Sequence, residues 1–120
     1  MYVALDAKGA RLFVTIASGF AEFEINISIE EQDLTVLRTN AERSAFLQAA
    51  LHHPFQLRET ELCEVEQRRY LDIILHSPVA EVEAFLTTLD HGSGNGAISN
   101  MLRITRGRYQ KVMRGGKWFA

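Results

Sequence analysis

A chain of 120 residues has room for one hydrophobic core. Its hydrophobic fraction of 47% and charged fraction of 23% are typical of a globular protein, which excludes the disordered and fibrous classes. Its apolar runs are far shorter than the roughly 18 to 20 residues of a membrane span, and its single cysteine excludes an internal disulfide. The formal net charge of −2 is unevenly divided: residues 1–90 have a balance of minus eight and residues 91–120 a balance of plus six. This division predicts an electrostatic partner, either another molecule or the acidic part of the same chain.

Two segments near the N-terminus have the alternation of β-strands. Residues 1–9 are weakly patterned and end at Lys8-Gly9, which suits either a turn or a loosely held start. Residues 11–17 alternate in polarity, and residues 23–29 have apolar side chains at odd positions and polar ones at even positions. With Ser18-Gly19 as a turn signal between them, these segments predict an antiparallel β-hairpin.

Two helices are predicted to follow the hairpin. Ser28 and Glu31 have the spacing of a capping box, which predicts a helix that ends at Arg38. A second helix over residues 41–52 is predicted to end before Pro54. Its apolar stripe, which we interpret as core packing, consists of Phe46, Leu47, Ala50 and Leu51.

The middle of the chain is less uniform. Residues 55–59 are compatible with a short additional strand, and residues 61–76 fit either a helix or a strand, of which the length favours the helix. Ser77-Pro78 then has the pattern of a helix start, and residues 79–89 carry apolar side chains at spacings of three and four. Gly92 is placed to cap the end of that helix.

The last thirty residues comprise a predicted Gly-rich loop, 91–100, and a basic C-terminal segment, 101–120. Asn100 and Gly115 are placed to cap a helix over residues 101–113, although Gly107 and the alternation around it favour a strand; we favour the helix. The sequence thus predicts a single small α+β domain, residues 1–120, with an N-terminal antiparallel β-hairpin packed against several α-helices.

The Gly-rich loop and the histidines give little support to catalysis or metal binding. The run Gly92-x-Gly94-x-Gly96 lacks the terminal Lys-Ser/Thr of a P-loop and follows a helix, so we interpret it as a connector. His91 would need a pocket that also holds a carboxylate before an enzyme could be argued. No pair of histidines or cysteines has zinc-ligand spacing, and Cys63 has no patterned partner. We therefore expect no catalytic residue, no metal and no cofactor.

Two charged groups are candidates for binding a partner. The basic C-terminal segment alternates with Tyr109, Trp118 and Phe119, a mixture able to contact phosphates and stack on bases, or to pair with acidic helices of the same domain. Its candidate nucleic-acid-binding residues are Arg103, Arg106, Arg108, Lys111, Arg114 and Lys117. The acidic cluster is either a solvated face or a surface for a basic partner, and it consists of Glu59, Glu61, Glu64 and Glu66.

Three runs in the middle of the chain resemble a known family. The runs Phe20-Ala-Glu-Phe23, Ile27-Ser-Ile-Glu-Glu31 and Phe46-Leu-Gln-Ala-Ala-Leu-His-His-Pro-Phe55 are similar to the small immunity proteins of bacterial contact-dependent growth inhibition systems. The resemblance covers about residues 11–90. It implies a cytoplasmic protein, without catalytic activity, that binds one cognate toxin domain, often a nuclease, and covers its active site. The lack of a secretory signal predicts the same location.

The resemblance also suggests which residues would meet the toxin. An acidic surface formed by Glu22, Glu24 and the cluster of residues 59–66 would suit a toxin whose cleft is basic for nucleic acid. The basic C-terminal segment departs from that picture, because it would contact an acidic patch on the toxin or fold back on the acidic part of its own domain. The alternative function is a nucleic-acid-binding accessory protein that uses the basic segment.

Overall fold

Three antiparallel strands begin the chain in the computed structural model, which describes residues 1–119. Strands β1 (Tyr2–Asp6), β2 (Gly9–Ser18) and β3 (Ala21–Ile29) lie in the order β1-β2-β3. The predicted hairpin of β2 and β3 is confirmed, with Val14 opposite Ile25. Of the two alternatives for residues 1–9, the loose start was wrong, since Tyr2 pairs with Phe13 and β1 forms an edge of the sheet, whereas a turn does precede Gly9, which lies opposite Asp6.

Six α-helices follow the sheet and complete a single α+β domain, as the sequence predicts. They are α1 (Glu31–Thr39), α2 (Ala41–His52), α3 (Glu64–His76), α4 (Val79–His91), α5 (Ala97–Arg106) and α6 (Gln110–Arg114). Two short 3-10 turns, Pro54–Gln56 and Arg58–Thr60, join α2 to α3. No helix within residues 1–119 is long and apolar enough to cross a membrane.

Helix α2 lies at the centre of the fold, in contact with β2, α1, α3 and α5. Its predicted apolar stripe is confirmed as part of the core, because Phe46, Leu47, Ala50 and Leu51 are all buried. The inner face of the sheet contributes Leu12, Val14, Ile16, Ile27 and Ile29 to the same core. Burial of these side chains from two layers supplies the main driving force for the fold.

Several predicted boundaries moved. Strand β3 continues through Ile29, so the cap of α1 lies two residues later than Ser28, where the Glu30 backbone N–H donates to Asp33 Oδ2 at 2.8 Å. Residues 55–59 contain 3-10 turns instead of a strand, since Pro54 fits the first position of a short helical turn. The helical prediction for residues 61–76 is confirmed by α3, and that for residues 79–89 by α4.

The C-terminal segment differs most from its prediction. The single helix expected over residues 101–113 is wrong, because Gly107, at a φ of 64°, ends α5 and the chain turns before α6. The loop is also shorter than residues 91–100, since α4 extends to His91 and α5 begins at Ala97. Within it the Gly94 N–H donates to the Leu89 carbonyl at 2.8 Å and the Gly96 N–H to that of Asp90 at 2.7 Å, which makes a tight turn.

Candidate functional site

The six carboxylates predicted to meet a partner are all exposed. Within residues 1–119 none of them forms an ion pair. The carboxylates that do form ion pairs belong to other residues, namely Glu30, Asp33, Glu42, Asp72 and Asp90. The six predicted carboxylates are therefore not engaged by the basic side chains of residues 1–119.

Glu22 and Glu24 lie on the outer face of the sheet. The Tyr2 hydroxyl donates to Glu24 Oε1 at 2.9 Å, and its ring stacks on Phe13 with centroids 5.0 Å apart. The hydrogen bond to Glu24 raises the pKa of Tyr2, with burial and the Glu24 charge adding to the effect. Glu24 is thus joined to an aromatic pair on the sheet, and neither Glu22 nor Glu24 lines the cavities that the other carboxylates line.

Glu64 lines a polar cavity of about 360 Å³ where β3 meets α3. The basic groups of that cavity already have partners in the domain. Arg11 Nε donates to Asn26 Oδ1 at 2.6 Å and Nη1 to Ser28 Oγ at 3.1 Å. Arg68 pairs with Asp33, with Nη2 2.7 Å from Oδ1. These contacts leave Glu64 as an exposed carboxylate at the rim of an internally bonded network.

Glu59, Glu61 and Glu66 line a second cavity, of about 330 Å³, which we call the acidic cavity. These three residues come from a 3-10 turn, the segment after it and the first turn of α3, where a negative charge is favoured by the helix dipole. The other residues that line it are His53, Pro54, Thr60, Leu62, Tyr70 and Ser93. The cavity therefore combines a rim of three carboxylates with partly apolar walls.

Tyr70, on α3, lines the acidic cavity and was not singled out from the sequence, because no motif surrounds it. It is 7% exposed, and its ring meets Phe85 edge-on with centroids 5.2 Å apart. Its hydroxyl forms no hydrogen bond within residues 1–119, and because no buried side-chain polar atom in that range lacks a partner, the hydroxyl is open to solvent. Burial raises the pKa of Tyr70, and the Glu66 carboxylate raises it further, so the phenol is neutral at pH 7.

The basic C-terminal segment is divided between internal contacts and exposed side chains. Arg108 pairs with Glu42 at 2.7 Å and donates to the Trp118 carbonyl, and Arg114 Nη1 lies 3.6 Å from Asp90 Oδ2. Trp118 is fully buried and Tyr109 is 81% exposed. The exposed basic residues are Arg103, Arg106, Lys111 and Lys117. Two of the six candidate nucleic-acid-binding residues therefore contact the acidic part of the domain.

His91 is held by contacts within the domain. Its Nε2–H donates to the Arg114 carbonyl at 2.7 Å, and Arg114 Nη2 donates to its Nδ1 at 3.1 Å. The neighbouring buried carboxylate, Asp90, accepts from the Ser99 hydroxyl at 2.7 Å, and Gln110 donates to that hydroxyl at 3.0 Å. No imidazole lies between Ser99 and Asp90, unlike in a Ser-His-Asp triad. This cluster ties α4, α5 and α6 together.

Cys63 and the metal-binding residue types add no further site. The Cys63 thiol is exposed at the start of α3 and donates to Glu66 Oε1 at 3.3 Å. Across residues 1–119 no group of three or more His, Cys, Asp or Glu side chains is arranged to hold a metal ion.

No protein-family model matches the chain, and comparisons with curated proteins and with solved structures found no similar protein. The resemblance to immunity proteins therefore stands on the quoted residues alone.

Proposed function

We propose that the protein is a stoichiometric inhibitor that binds a partner with a basic surface. On the resemblance of residues 11–90, that partner is a cognate toxin domain, a nuclease, and the protein acts as its immunity protein in the cytoplasm. One observation carries the proposal: six exposed carboxylates form no ion pair within residues 1–119, whereas Glu42 and Asp90 already pair with the basic segment.

The physical argument concerns what a surface of free carboxylates does in solution. Negative charge attracts a basic cleft over long range, speeds association and fixes the orientation of the complex. A nuclease cleft is positively charged because it binds a phosphate backbone. An acidic protein seated over such a cleft would exclude the nucleic acid, so inhibition requires binding alone and no reaction.

Affinity capture from the native lysate tests this proposal. The tagged protein is used with and without nuclease treatment of the lysate. We expect both samples to yield a single polypeptide in a one-to-one complex. That polypeptide should be toxic alone and inactive in the complex. A variant with Gln at Glu22, Glu24, Glu59, Glu61 and Glu64 should capture much less of it. Capture of nucleic acid alone, released by salt, would contradict the proposal.

A second function, binding of nucleic acid by the basic segment, is favoured by one observation. Tyr109 is exposed in the same chain segment as the exposed residues Arg103, Arg106 and Lys111, and exposed aromatic and basic side chains that lie together bind single strands. Replacing these three basic residues by Gln tests it without disturbing Arg108, which pairs with Glu42. Salt-sensitive binding that this variant loses would support the second function, and no binding at low salt would exclude it.

A further inference from the structure

We propose that β1 is a pairing site for a second copy of the chain, so that two sheets join edge to edge in an antiparallel dimer. This dimer does not depend on the proposed function, because it uses the backbone at the open edge of the sheet and not the exposed carboxylates. Two copies joined in this way would bind two partner molecules, which keeps the one-to-one ratio of an inhibitor complex.

The outer edge of β1 carries backbone groups that no strand within residues 1–119 uses. In the three-stranded sheet β1 pairs with β2 alone, and Asp6 lies opposite Gly9 across a two-residue turn. Hydrogen-bonded and non-hydrogen-bonded pairs alternate along an antiparallel ladder, so the backbone of Asp6 and of Ala4 bonds to β2. The N–H and C=O groups of Val3 and Leu5, which lie between and beside these positions, therefore point to the open edge.

β1 lacks the features with which edge strands usually prevent pairing. Such features are charged side chains, proline, bulges and a very short strand. β1 has five residues, an ordinary strand length, and it pairs with β2 without a bulge. Its sequence, Tyr-Val-Ala-Leu-Asp, contains no lysine or proline and carries its one charge at the end. The opposite edge of the sheet, β3, carries Glu22 and Glu24, so β1 is the edge more open to pairing.

The strand is complementary to itself about Ala4. When two copies run antiparallel with Ala4 opposite Ala4, Val3 of one copy lies opposite Leu5 of the other. These are the residues whose backbone groups face the open edge, so they can exchange hydrogen bonds between the copies. Leu5 is 75% exposed, and the valine of the second copy would cover it on the same face of the sheet. A twofold axis makes the contact mutual, so the assembly closes as a dimer.

The polar side chains of β1 do not oppose this register. Asp6 lies opposite Tyr2 of the second copy, which avoids placing two carboxylates directly opposite each other. Asp6 Oδ1 already accepts from the Lys8 backbone N–H at 2.7 Å, within its own turn. The Tyr2 hydroxyl donates to Glu24 of β3, on the far side of β2 from the open edge. Pairing of the two copies therefore requires neither of these hydrogen bonds to break.

Sedimentation equilibrium of the full chain tests the dimer between about 10 µM and about 1 mM, because a small interface gives weak affinity. The molar mass should rise with concentration from that of one chain to that of two and then stop. A mass that stays at one chain over the whole range would overturn the inference. A mass that keeps growing beyond two chains would overturn the closed, twofold arrangement.

Amide hydrogen exchange over the same concentration range locates the contact. The N–H groups of Val3 and Leu5 should exchange more slowly as the dimer forms, because each gains a partner. The N–H of Ala4, which bonds to Arg11 of β2, is the internal control and should already be protected at the lowest concentration. A dimer in which exchange at Val3 and Leu5 does not depend on concentration would overturn the role of β1.

Variants separate loss of pairing from loss of folding. Leu5→Pro removes an N–H that β2 does not use, so it should raise the dissociation constant of the dimer about tenfold or more while the monomer keeps its fold. Leu5→Lys adds a charge to the edge and should weaken the dimer without constraining the backbone. The matched control is Val65→Lys, at an 80% exposed position of α3, which should leave the dimer intact. An unchanged dissociation constant in both Leu5 variants would overturn the pairing.

The exchange experiment also distinguishes a second copy from a strand of another protein. For a second copy, purified protein alone should show protection of Val3 and Leu5. If these two amides become protected only when a protein captured from the lysate is added, the open edge belongs to that protein and the dimer is overturned.

Discussion

Asp33 and Arg68 form a bidentate ion pair in which Arg68 Nη1 lies 2.8 Å from Asp33 Oδ2 and Nη2 lies 2.7 Å from Oδ1. Asp33 is fully buried, whereas the Arg68 side chain is 30% exposed. His76 Nε2 also lies 2.7 Å from Oδ1, and the Glu30 backbone N–H donates to Oδ2. The pair joins the first turn of α1 to the middle of α3, so it fixes α3, whose first turn supplies Glu66 to the acidic cavity.

Replacing Arg68 by Met should destabilise the protein by about 3 to 5 kcal/mol, because it leaves a buried carboxylate without its guanidinium. Urea denaturation at pH 7 measures the effect. The matched control is Asp72→Asn, which removes another partner of Arg68 that is 56% exposed and should cost less than about 1 kcal/mol. Similar losses in the two variants would mean that burial of Asp33 does not decide the energetics.

The same pair should make stability fall in acid. Burial raises the pKa of Asp33, but hydrogen bonds from Arg68, the Glu30 backbone and His76, with the Arg68 charge, outweigh it and hold the pKa below its ordinary value. The unfolded chain then binds more protons, so this stabilisation is present above about pH 4 and is lost as the pH falls through the folded pKa.

Urea midpoints of the wild type and of Asp33→Asn at pH 7, 4 and 2.5 test that pH dependence. The difference between the two proteins should shrink as the pH falls. Glu31→Gln, an exposed change in the same helix turn, should keep a nearly constant difference from the wild type. If the urea midpoints of the wild type and Asp33→Asn differ by the same amount down to pH 2.5, Asp33 is not the source of the pH dependence.

His52 should add a second pH dependence, at milder acidity. The Ala17 backbone N–H donates to His52 Nε2 at 3.1 Å, which requires that nitrogen to be unprotonated. Burial lowers the pKa of His52, and the neighbouring His53 lowers it further. Because the unfolded histidine takes up its proton first, stability should decline as the pH falls below about 6.5.

A His52→Gln variant tests this second pH dependence. It should lose about 1 kcal/mol at pH 7.5, the effect of one hydrogen bond, and its urea midpoint should change less than that of the wild type between pH 7.5 and 5.5. Parallel pH profiles for the two proteins would show that His52 does not titrate on unfolding in this range.

Gly107→Ala should destabilise the protein by about 1 to 2 kcal/mol, because an L-residue is strained in the left-handed region. The site has open space for a Cβ, so the cost comes from the backbone and not from a clash. Asn tolerates this conformation better than Ala, so Gly107→Asn should lose less stability than Gly107→Ala. Thermal denaturation of the two variants and the wild type measures the difference. Equal losses for Ala and Asn would contradict the conformational explanation.

Trp118→Ala should destabilise the protein by about 3 to 5 kcal/mol. The ring is fully buried and meets Phe46 edge-on at 6.2 Å, and its N–H donates to Thr87 Oγ1 at 2.9 Å. Urea denaturation checks the value against Tyr109→Ala, an exposed aromatic of the same segment that should change stability by less than about 0.5 kcal/mol. A small effect at residue 118 would mean that the C-terminal segment is not part of the cooperative core.

The strongest sequence patterns predicted most of the fold. Strands β2 and β3 and helix α4 carry clear periodicities because each packs one face on the core. Strand β1 was missed because it is short and lies at an edge, where Leu5 stays exposed and little burial imposes alternation. The break at Gly107 was missed because one glycine inside a helical pattern does not reveal whether its φ is positive.

The candidate site was predictable only in its charges. An excess of Glu between residues 59 and 66 is visible in the sequence, and so is the basic C-terminal segment. The cavity is not visible, because its wall joins Pro54, Tyr70 and Ser93 from three separate parts of the chain. Likewise, the internal use of Arg108 depends on Glu42, which lies far away in sequence.

The contact between Phe46 and Trp118 also has a consequence for synthesis on the ribosome. The chain emerges N-terminus first, so Phe46 is made well before the tryptophan that covers it. Until residue 118 leaves the ribosome, a nascent chain with its sheet and first helices formed still presents an uncovered aromatic surface. A chaperone that binds exposed apolar segments would therefore have a defined window for contact with the nascent chain, which closes when Trp118 packs on Phe46.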